Sequence, residues 1–294
     1  MSDYSVPKAI DIDNMAARWR CAVEELIRRD RYLITPKRDG CALHVEMEDG
    51  EVRVCVSASG KTVYSVWHII DELQRVFKQA GRVVLDMEVY VEGLPFQEIS
   101  GMFRRRQTQP RLRAMVFNGH FGYIGGGYEG RMNLFGQYLT GKSDLIEVAP
   151  SHTPRDLNCA WAEAAERRDL GGFDGCVLHY RDSPYFTGRA THQSIKLKPL
   201  VSHDLEVIAV NEAVGEKTGR KTCALVCRWR PAFAPWGTSE TQEVATGLSH
   251  RQQENAQDFI GKIIEVRGMG YTTAGKIREP RFVGVREDKL QPEF

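Results

Sequence analysis

Lys37 is the first residue whose setting suggests chemistry. It stands in the stretch 34–40 (ITPKRDG), where a strand opens into a tight turn that holds a lysine, a carboxylate and a glycine. A lysine with its unperturbed pKa of about 10.4 is almost wholly protonated at neutral pH, so it becomes a nucleophile only where burial or neighbouring cations lower that pKa. Because Lys-x-Asp-Gly also occurs in ordinary surface turns, the stretch alone leaves both a nucleophile and a plain turn open.

Two further lysines, Lys196 and Lys198, lie two residues apart in the run 194–199 (SIKLKP). On a strand they share one face, while Ile195 and Leu197 share the other. Pointing into a site, the two lysines would lower each other's pKa and that of a third lysine nearby. On an exposed edge they would only discourage aggregation. The pair by itself favours neither interpretation.

Acidic side chains alternate with apolar ones along the clearest strand of the chain, 82–92. Asp86 and Glu88 are predicted to share one face of it. A solvated sheet surface is the favoured interpretation, although paired carboxylates are also what a divalent metal or a cationic group needs. Asp174 opens another short strand, 173–180.

The densest basic run comprises Arg104, Arg105 and Arg106. A solvated loop is the first interpretation, and contact with phosphates is the alternative if the partner is a nucleic acid. The net charge of the chain is only +1. A nucleic acid would therefore be held by a local patch such as this one rather than by the field of the whole chain.

The composition of the 294-residue chain is that of a soluble globular protein, with 42% hydrophobic and 27% charged residues. This length suits one large domain or two ordinary ones. No run approaches the roughly 18 apolar residues of a spanning helix, and residues 1–12 lack the apolar core of a secretory signal. Seven cysteines stand singly, which indicates a reducing cytoplasm and argues against a structural zinc site.

Hydrophobic periodicity predicts the elements that must position these residues. Helical spacing follows an Asp/Asn start at 13–14, and an Asp-Gly pair between two alternating runs predicts a hairpin. The glycine-rich segment 119–136 lacks the setting of a phosphate-binding loop and is predicted to be a flexible loop. The predicted elements are helices over 13–29, 63–79 and 158–169, a hairpin over 43–56, and strands over 82–92, 112–117 and 173–180.

A domain boundary is predicted near 199–203. Beyond it, about five short strands with one inserted helix suggest a small barrel of the oligonucleotide-binding (OB) type. Cys223 and Cys227 alternate with apolar residues and are predicted to pack within a strand rather than to bind metal. The predicted elements are strands over 205–210, 223–229, 263–267 and 281–285, a proline-containing loop over 231–236 and a helix over 249–259.

The order of the motifs resembles the signature series of the covalent nucleotidyltransferases, and the segment 280–289 is specifically similar to ATP-dependent DNA ligases. With no additional N-terminal domain expected, the resemblance is closest to the minimal ligases of viruses and bacteriophages. It implies an α+β fold, with a nucleotidyltransferase (adenylation) domain of antiparallel sheets and flanking helices in 1–200 and an OB-fold β-barrel in 201–294. The motifs are Lys37-x-Asp39-Gly40, Leu85-Asp86-Met87-Glu88, Phe117 on a strand, Asp174-Gly175, Lys196-x-Lys198-Pro199 and Arg286-x-Asp288-Lys289.

The resemblance also implies a three-step sealing of nicks in duplex DNA. Lys37 would attack the α-phosphate of ATP and keep AMP on its side-chain nitrogen. The AMP would pass to the 5′-phosphate at the nick, and the adjacent 3′-hydroxyl would then displace it. Arg286 and Lys289 would orient the leaving pyrophosphate, after which the second domain would rotate about a hinge near 199–203 to clamp DNA.

The remaining roles are likewise implied by the resemblance. Charge builds on phosphate oxygens in every step, so Lys196, Lys198 and magnesium, for which manganese can substitute, are the expected stabilisers. Phe117 resembles the aromatic residue on which adenine stacks. The other assigned residues are Thr35, Pro36 and Gly40 around the nucleotide, Asp39 on sugar and metal, Glu88 on ribose and metal, and Asp174 on metal.

The chain departs from the family pattern at four positions. Ala42 and Ala58 replace arginines that normally grip the substrate around the nick. We therefore expect that contact to have moved to Arg38, Lys61 or the run 104–106. The other two departures are Asp174 in place of a glutamate and His179 in place of a lysine or arginine, and the short segment 216–221 predicts incomplete encirclement of the duplex.

Two alternatives to an ATP-dependent DNA ligase remain. One is an RNA ligase or an mRNA-capping guanylyltransferase of the same superfamily, against which the Arg-x-Asp-Lys ending argues. The other is a catalytically silent nucleic-acid-binding relative, which the alanines at 42 and 58 suggest. The expected protein acts in DNA replication or repair as a monomer on nicked duplex DNA, in the cytoplasm of a bacterium or an infected host cell, without a membrane partner.

Overall fold

The computed structural model describes residues 8–12, 15–122, 126–214, 219, 221–230, 240–272 and 274–293. The chain divides into two compact units, Met1–Pro199 and Leu200–Phe294. No helix in the described ranges is long and apolar enough to cross a membrane.

The first unit is built from nine strands and five helices within its described residues. In chain order they are β1 (Ile10–Asp11), α1 (Ala17–Arg28), β2 (Tyr32–Arg38), β3 (Cys41–Glu48), β4 (Glu51–Ser57), α2 (Trp67–Val76), β5 (Arg82–Tyr90), α3 (Phe96–Phe103), β6 (Arg113–Phe121), α4 (Tyr128–Leu139), β7 (Ile146–Val148), α5 (Leu157–Leu170), β8 (Phe173–Tyr180) and β9 (Ser194–Leu197). The Asp/Asn pair expected to cap α1, residues 13 and 14, lies outside the described residues.

These strands form two sheets. One has the order β1-β9-β8-β2 and the other β4-β3-β5-β6-β7. All neighbours are antiparallel except β1 with β9 and β6 with β7. The predicted α+β fold, with antiparallel sheets and flanking helices, is confirmed.

Each sheet of the first unit buries one face under helices. Ile27 of α1 and Ala164 of α5 join the core of the four-stranded sheet, and Leu73 of α2 and Phe135 of α4 join that of the five-stranded sheet. Fully burying a large apolar side chain stabilises a fold by roughly 1.5–3 kcal/mol. The helices therefore hold the outer faces of both sheets, and the remaining faces are available for a site.

The hairpin predicted from the Asp-Gly pair is confirmed. Strands β3 and β4 pair in antiparallel register on either side of Asp49 and Gly50. Both residues have positive φ, 51° and 79°, as a two-residue turn of type I′ requires. This hairpin extends the five-stranded sheet directly after the turn that follows Lys37.

The predicted flexible loop over 119–136 is wrong. Strand β6 continues to Phe121, and helix α4 begins at Tyr128. Tyr128, Met132 and Phe135 are buried at helical spacing, but the seven glycines of 119–136 weaken that pattern in the sequence. Gly119 serves close packing, since a Cβ there would lie 2.3 Å from the carbonyl oxygen of Val84.

The second unit contains one five-stranded antiparallel sheet in its described part, with the order β12-β11-β10-β13-β14. Its two edges meet at a single bridge between Thr246 and Arg281, so these residues form an OB-like open sheet and no closed barrel. Cys223 and Cys227 are buried in β11, as predicted. The elements are β10 (Val201–Val214), β11 (Lys221–Arg228), β12 (Thr241–Val244), α6 (His250–Glu254), a 3₁₀ turn (Ala256–Phe259), β13 (Ile263–Gly268) and β14 (Arg281–Val285).

Two predictions for the second unit cannot be compared with the structure. The loop expected over 231–236 and most of the short segment 216–221 lie outside the described residues. Strand β12 was not predicted, because its four residues carry little apolar signal.

Candidate active site

Lys37 lies near the end of β2, where its backbone pairs with Gly175 of β8. This register places the side chain beside Asp174, the residue before Gly175 on β8. The Nζ atom of Lys37 donates to Oδ2 of Asp174 at 3.1 Å, and Nζ of Lys198 donates to the same oxygen at 3.0 Å. A single carboxylate therefore bridges two ammonium groups, one of which was predicted to be the nucleophile.

The pKa of Lys37 does not follow the prediction. Burial lowers it, but the carboxylates of Asp174, Glu88 and Asp39 outweigh burial, so the pKa is raised above its ordinary value. The expected lowering of the Lys37 pKa by neighbouring lysines is therefore wrong. The pKa that is lowered is instead that of Lys198, through burial and the charge of Lys37.

Asp174 itself keeps a low pKa. Burial raises the pKa of this carboxyl, but Lys37 and Lys198 lower it further, and the net shift is downward. Asp174 is thus a permanent anion at neutral pH and holds both lysines in place. Although it is one methylene shorter than the glutamate of the family pattern, it reaches both ammonium groups directly.

Glu88 faces the same cluster from β5. Its Oε1 accepts a hydrogen bond from the backbone N–H of Gly40 at 3.2 Å. Burial, opposed by the charge of Lys37, raises the pKa of Glu88 to about 7. Gly40 is required by close approach, since a Cβ there would lie 2.2 Å from the carbonyl oxygen of Val89. The turn at 39–40 therefore brings the strand of Lys37 against the strand of Glu88.

Asp86 does not lie on a solvated face. It is fully buried and accepts from Nδ1 of His44 or shares its proton at 2.8 Å, while the hydroxyl of Tyr185 donates to its other oxygen at 2.9 Å. The interpretation of this strand face as a wet surface is therefore wrong. Asp86 supports the fold, whereas Glu88, two residues on, faces the cluster.

A cavity of about 720 Å³ opens between the two sheets of the first unit, within the range of small-molecule sites. The cavity brings together motif residues that lie far apart in the chain, such as Lys37 and Lys198. The cavity also accounts for the shared face of Lys196 and Lys198, while Ile195 and Leu197 are buried on the opposite face. Among the lining residues are Thr35, Pro36, Lys37, Glu88, Phe117, Lys196 and Lys198, all predicted, together with Lys8, Asp11, His179, Arg189 and Ser194.

Several of the lining residues were not predicted as site residues. Asp11 lies in the two-residue strand β1, opposite Lys196, and its Oδ2 is 3.8 Å from Nζ of that lysine. Lys8 is bridged to Arg189 just beyond the same edge. So short a strand has no periodicity, so the sequence held no signal that could have brought 8–11 to the site.

A second cavity, of about 690 Å³, adjoins the first. Ala42 and Ala58 line both cavities, so the small side chains at these positions form part of the wall between them. Lys61, Arg104 and Arg105 line the second cavity, while Arg106 is exposed beside it. No ion pair holds Lys61 or Arg104 among the described residues.

Arg38 differs from these cations. Its guanidinium lies between the rings of Tyr90 and Phe173, 4.1 and 4.3 Å from their centroids, and donates to Glu92 at 3.0 Å and Glu147 at 3.3 Å. The charge of Arg38 is thus already paired. Its predicted role in DNA contact stays a prediction that this arrangement does not favour.

In the second unit, Arg286 and Lys289 converge on one buried carboxylate. Arg286 donates to both oxygens of Asp204 at 3.0 and 3.1 Å, and Nζ of Lys289 pairs with the same group. Arg286 also forms two hydrogen bonds with Asp288, at 2.8 and 2.9 Å. Both predicted pyrophosphate contacts therefore form a single anchored cluster at the end of β14.

The carboxylates of the first unit fit a magnesium ion that arrives with its nucleotide. Among the described residues, no three acidic, histidine or cysteine side chains converge as a preformed metal cage. Magnesium, however, is usually bound through one or two carboxylates plus substrate phosphates. Asp174 and Glu88, both facing Lys37, supply that smaller donor set.

Comparison with known proteins agrees with this geometry. A family model described as DNA ligase OB-like domain matches residues 216–286. A DNA ligase of Methanothrix thermoacetophila is 25% identical over 322 residues, covering 96% of this chain and 56% of the relative. The chain thus spans about half the length of this curated relative.

Solved structures share the fold. A Lig E DNA ligase, described as binding DNA with a minimal scaffold, aligns with a TM-score of 0.69 at 19% identity, covering 96% of this chain and 99% of that one. The ATP-dependent DNA ligase from bacteriophage T7, in complex with ATP, aligns with a TM-score of 0.54 at 15% identity, covering 96% of this chain and 98% of that one.

Fold and site together define a two-unit α+β protein with a lysine cluster on one wall of a nucleotide-sized cavity. The resemblance to ATP-dependent DNA ligases that the motif order predicted is confirmed, and the similarity to DNA ligases extends over nearly the whole chain.

Proposed function

We propose that this protein is an ATP-dependent DNA ligase that seals nicks with a 5′-phosphate and a 3′-hydroxyl through a lysyl-AMP intermediate. The observation that carries the proposal is the cluster of Lys37, Asp174 and Lys198 on the wall of the nucleotide-sized cavity, in a chain similar to DNA ligases. Asp174 holds the two amines side by side, so that one can attack the α-phosphate while the other binds its oxygens.

In the first step, a bond would form between Nζ of Lys37 and the α-phosphorus, and the bond to pyrophosphate would break. The amine must first lose a proton, which its partly exposed side chain can release to solvent. Lys198 and Lys196 would stabilise the charge that develops on the phosphate oxygens. When bound, magnesium would add a further positive charge at the phosphates, held by Asp174 and Glu88. We expect manganese to substitute for it.

The second cavity would receive the acceptor DNA. The 5′-phosphate at the nick must reach the AMP on Lys37, and the two cavities adjoin at Ala42 and Ala58. Lys61 and Arg104 supply positive charge there without an ion-pair partner among the described residues. This placement supports the predicted relocation of the nick contact to Lys61 and 104–106, and it does so least for Arg38.

The decisive experiment is incubation of the purified protein with labelled ATP or labelled GTP and magnesium, followed by nicked DNA or nicked RNA. We expect AMP from ATP on Lys37, lost in Lys37→Ala, and discharge of that label onto nicked DNA with sealing. Transfer from GTP would indicate a capping enzyme, and discharge onto nicked RNA alone would indicate an RNA ligase. No label from either nucleotide would contradict the enzymatic proposal.

We further propose that the ligase works as a monomer in the cytoplasm, in DNA replication or repair. The seven cysteines, all of them thiols without a disulfide, are compatible with a reducing compartment. Sedimentation of the protein with and without nicked DNA tests the monomeric state.

A further inference from the structure

The segment 286–293, which follows β14, is held by polar contacts rather than by packing. Its described residues form no helix or strand, and Leu290 in its middle is 97% exposed. Fixing the backbone of each residue costs conformational entropy, so an irregular and exposed segment keeps one conformation only where specific contacts stabilise it. The arrangement of Arg286 and Lys289 within the segment therefore depends on the groups that hold it.

The first half of the segment is bound to Asp204 of β10. Arg286 donates to both carboxylate oxygens of Asp204, and Nζ of Lys289 pairs with the same group. The backbone N–H of Arg286 also donates to the carbonyl oxygen of Ile263 at 2.8 Å. These contacts fix where the segment begins, and a separate contact must fix where it leads.

The far end of the segment is bound to the same strand through Glu293. The backbone N–H of Glu293 donates to the carbonyl oxygen of Asp204 at 2.9 Å, and its Oε2 lies 2.7 Å from Nδ1 of His203. Over Val201–Glu206, β10 pairs with β13 on one side, while its pairing with β11 begins only at Val207. Glu293 therefore meets β10 where the outer edge of that strand has no strand partner in the described ranges.

His203 is a rigid partner for Glu293. The centroid of its ring lies 5.3 Å from that of Trp229 and 5.9 Å from that of Tyr271, and its side chain is 12% exposed. Its Nε2 lies 2.7 Å from the hydroxyl of Tyr271. An ionised carboxylate only accepts hydrogen bonds, so Nδ1 donates to Glu293, and Nε2 of the neutral ring accepts from Tyr271. The ring cannot turn away without the loss of both hydrogen bonds.

The two anchors of the segment lie on opposite faces of β10. His203 and Asp204 are neighbours in a regular part of that strand, and neighbouring side chains of a strand point to opposite faces. The segment is thus held at its start by the side chain of Asp204 and at its end by that of His203. Since Lys289 lies between the two anchors, its position depends on both of them.

We propose that Glu293 and His203 are positioning residues for the first step, because their pair keeps Arg286 and Lys289 together for the leaving pyrophosphate. This inference rests on the proposed function and adds two residues to it, neither of which would touch the nucleotide. Two cations in a fixed arrangement bind a diphosphate more tightly than two independently mobile ones, since less conformational entropy is lost on binding. The pair should therefore matter when pyrophosphate is bound or released, and not when the nick is sealed.

The test compares two reactions in single turnover. The first is transfer of AMP from labelled ATP to Lys37, together with its reversal by added pyrophosphate over a range of concentrations. The second is sealing of a nick that already carries 5′-AMP. For Glu293→Ala and for His203→Phe, we expect about tenfold slower AMP transfer and an about tenfold higher pyrophosphate concentration for half-maximal reversal, the size of one lost hydrogen bond to a charged group. Sealing should stay unchanged.

Matched variants separate the pair from net charge and from folding. Glu287→Ala removes the same charge from an exposed residue of the same segment and should leave both reactions unchanged. Glu293→Gln keeps an acceptor for Nδ1 of His203 and should restore most of the rate. The double variant of Glu293 and His203 should be no slower than either single variant, and a much slower one would overturn the pair. Thermal unfolding reports folding, and Glu293→Ala against Glu287→Ala decides if His203→Phe does not fold.

Amide hydrogen exchange over 286–293 gives a readout that does not depend on catalysis. We expect faster exchange in Glu293→Ala than in the unmodified protein or in Glu287→Ala. Equal exchange, or an equal fall of AMP transfer and sealing, would overturn the inference. Faster AMP transfer in Glu293→Ala would overturn it in favour of a pair that restrains the segment. If the unmodified protein gave no label on Lys37, the ligase proposal would fail, while faster exchange in Glu293→Ala would still support the ordering of the segment by this pair.

Discussion

At the scale of single residues, the site is organised by one carboxylate that pairs with two lysines. Asp174 is shared by Lys37 and Lys198, and Glu88 faces the same group from the opposite sheet. The carboxylates of Asp174, Glu88 and Asp39 raise the pKa of Lys37, so its amine is protonated at neutral pH. Bound cations that neutralise these carboxylates would remove the effect that raises the pKa of Lys37.

The first prediction concerns Glu88. Its folded-state pKa of about 7 lies above the unfolded value of 4.5, so the folded protein binds this proton more tightly than the unfolded chain does. Stability from this group is therefore fully present below about pH 4.5 and is lost as pH rises toward about 7. Glu88→Gln should remove that loss and flatten the decline in the free energy of unfolding, measured with urea at several pH values across this window.

Glu92→Gln is the matched control, since Glu92 lies just beyond the end of β5 and its side chain is 76% exposed. Its stability curve should run parallel to that of the unmodified protein. If Glu88→Gln also gave a parallel curve, the raised pKa of Glu88 would be wrong.

At the scale of elements, the turn at 39–40 and the loop after β4 set the junction between the two cavities. Ala42 on β3 and Ala58 beyond β4 leave that junction open, and Arg104 follows the end of α3 beside it. Cations carried by a helix end and a loop can thus take over a contact that side chains on β3 and β4 do not supply. This arrangement favours relocation of the phosphate contact over its loss.

The second prediction is that Lys61→Ala combined with Arg104→Ala weakens binding of nicked DNA. Loss of two phosphate contacts should lower the slope of log affinity against log salt by about two. AMP transfer to Lys37 should continue, since neither side chain lines the nucleotide cavity. Adding Ala58→Arg, which places a guanidinium at the junction, should recover part of the affinity. The measurement is a salt titration of binding to a labelled nicked duplex.

The charge-matched control is Arg28→Ala with Arg29→Ala, two exposed residues at the C-terminal end of α1 that pair with glutamates of that helix. An equal fall in DNA affinity for both double variants would show that only net charge matters. An unchanged affinity for the Lys61 and Arg104 pair would exclude the second cavity as the phosphate site.

The third prediction concerns Arg131, the buried residue that fixes α4 to its surroundings. It donates at 2.8 Å to the carbonyl oxygens of Gly119, Gly126 and Ser183. Arg131→Met keeps the length but leaves the buried acceptors of Gly119 and Ser183 unpaired, which should cost roughly 3 kcal/mol or more of unfolding free energy. Arg75→Met, at an exposed arginine paired with Glu72, should cost under about 1 kcal/mol. Similar losses in urea unfolding would contradict this role.

Elements with a local signal could be predicted from the sequence, and those set by distant contacts could not. The hairpin around Asp49 and Gly50 and the strand β5 follow from residues adjacent in the chain. Helix α4 could not be predicted from the sequence, because the glycines in and around it favour a loop. Its apolar residues have helical spacing, but the helix is stabilised by their packing against β6, which the sequence does not show. The direction of the pKa shift of Lys37 depends on which charges lie nearest to its amine. The order of motifs in the sequence gives no distances, so this direction could not be predicted.

At the scale of the whole molecule, the two units carry different parts of the proposed reaction. The nucleophile and the nucleotide cavity belong to the first unit, and Arg286 and Lys289 belong to the second. Asp204 is 4% exposed and holds both cations. The second unit thus presents its cations as a preassembled pair rather than as two independently mobile side chains.

The last prediction separates the steps by unit. If Arg286 acts on the leaving pyrophosphate, Arg286→Ala should slow AMP transfer to Lys37 by about a hundredfold or more, the usual cost of losing one cation that stabilises transferring phosphate. Sealing of a nick that already carries 5′-AMP should stay near normal, because no pyrophosphate leaves in that step. Arg267→Ala, an exposed cation of β13 paired with Glu265, is the control and should affect neither step. Single-turnover rates measure both steps, and an equal fall in the two for Arg286→Ala would show that this residue serves the fold or the DNA contact instead.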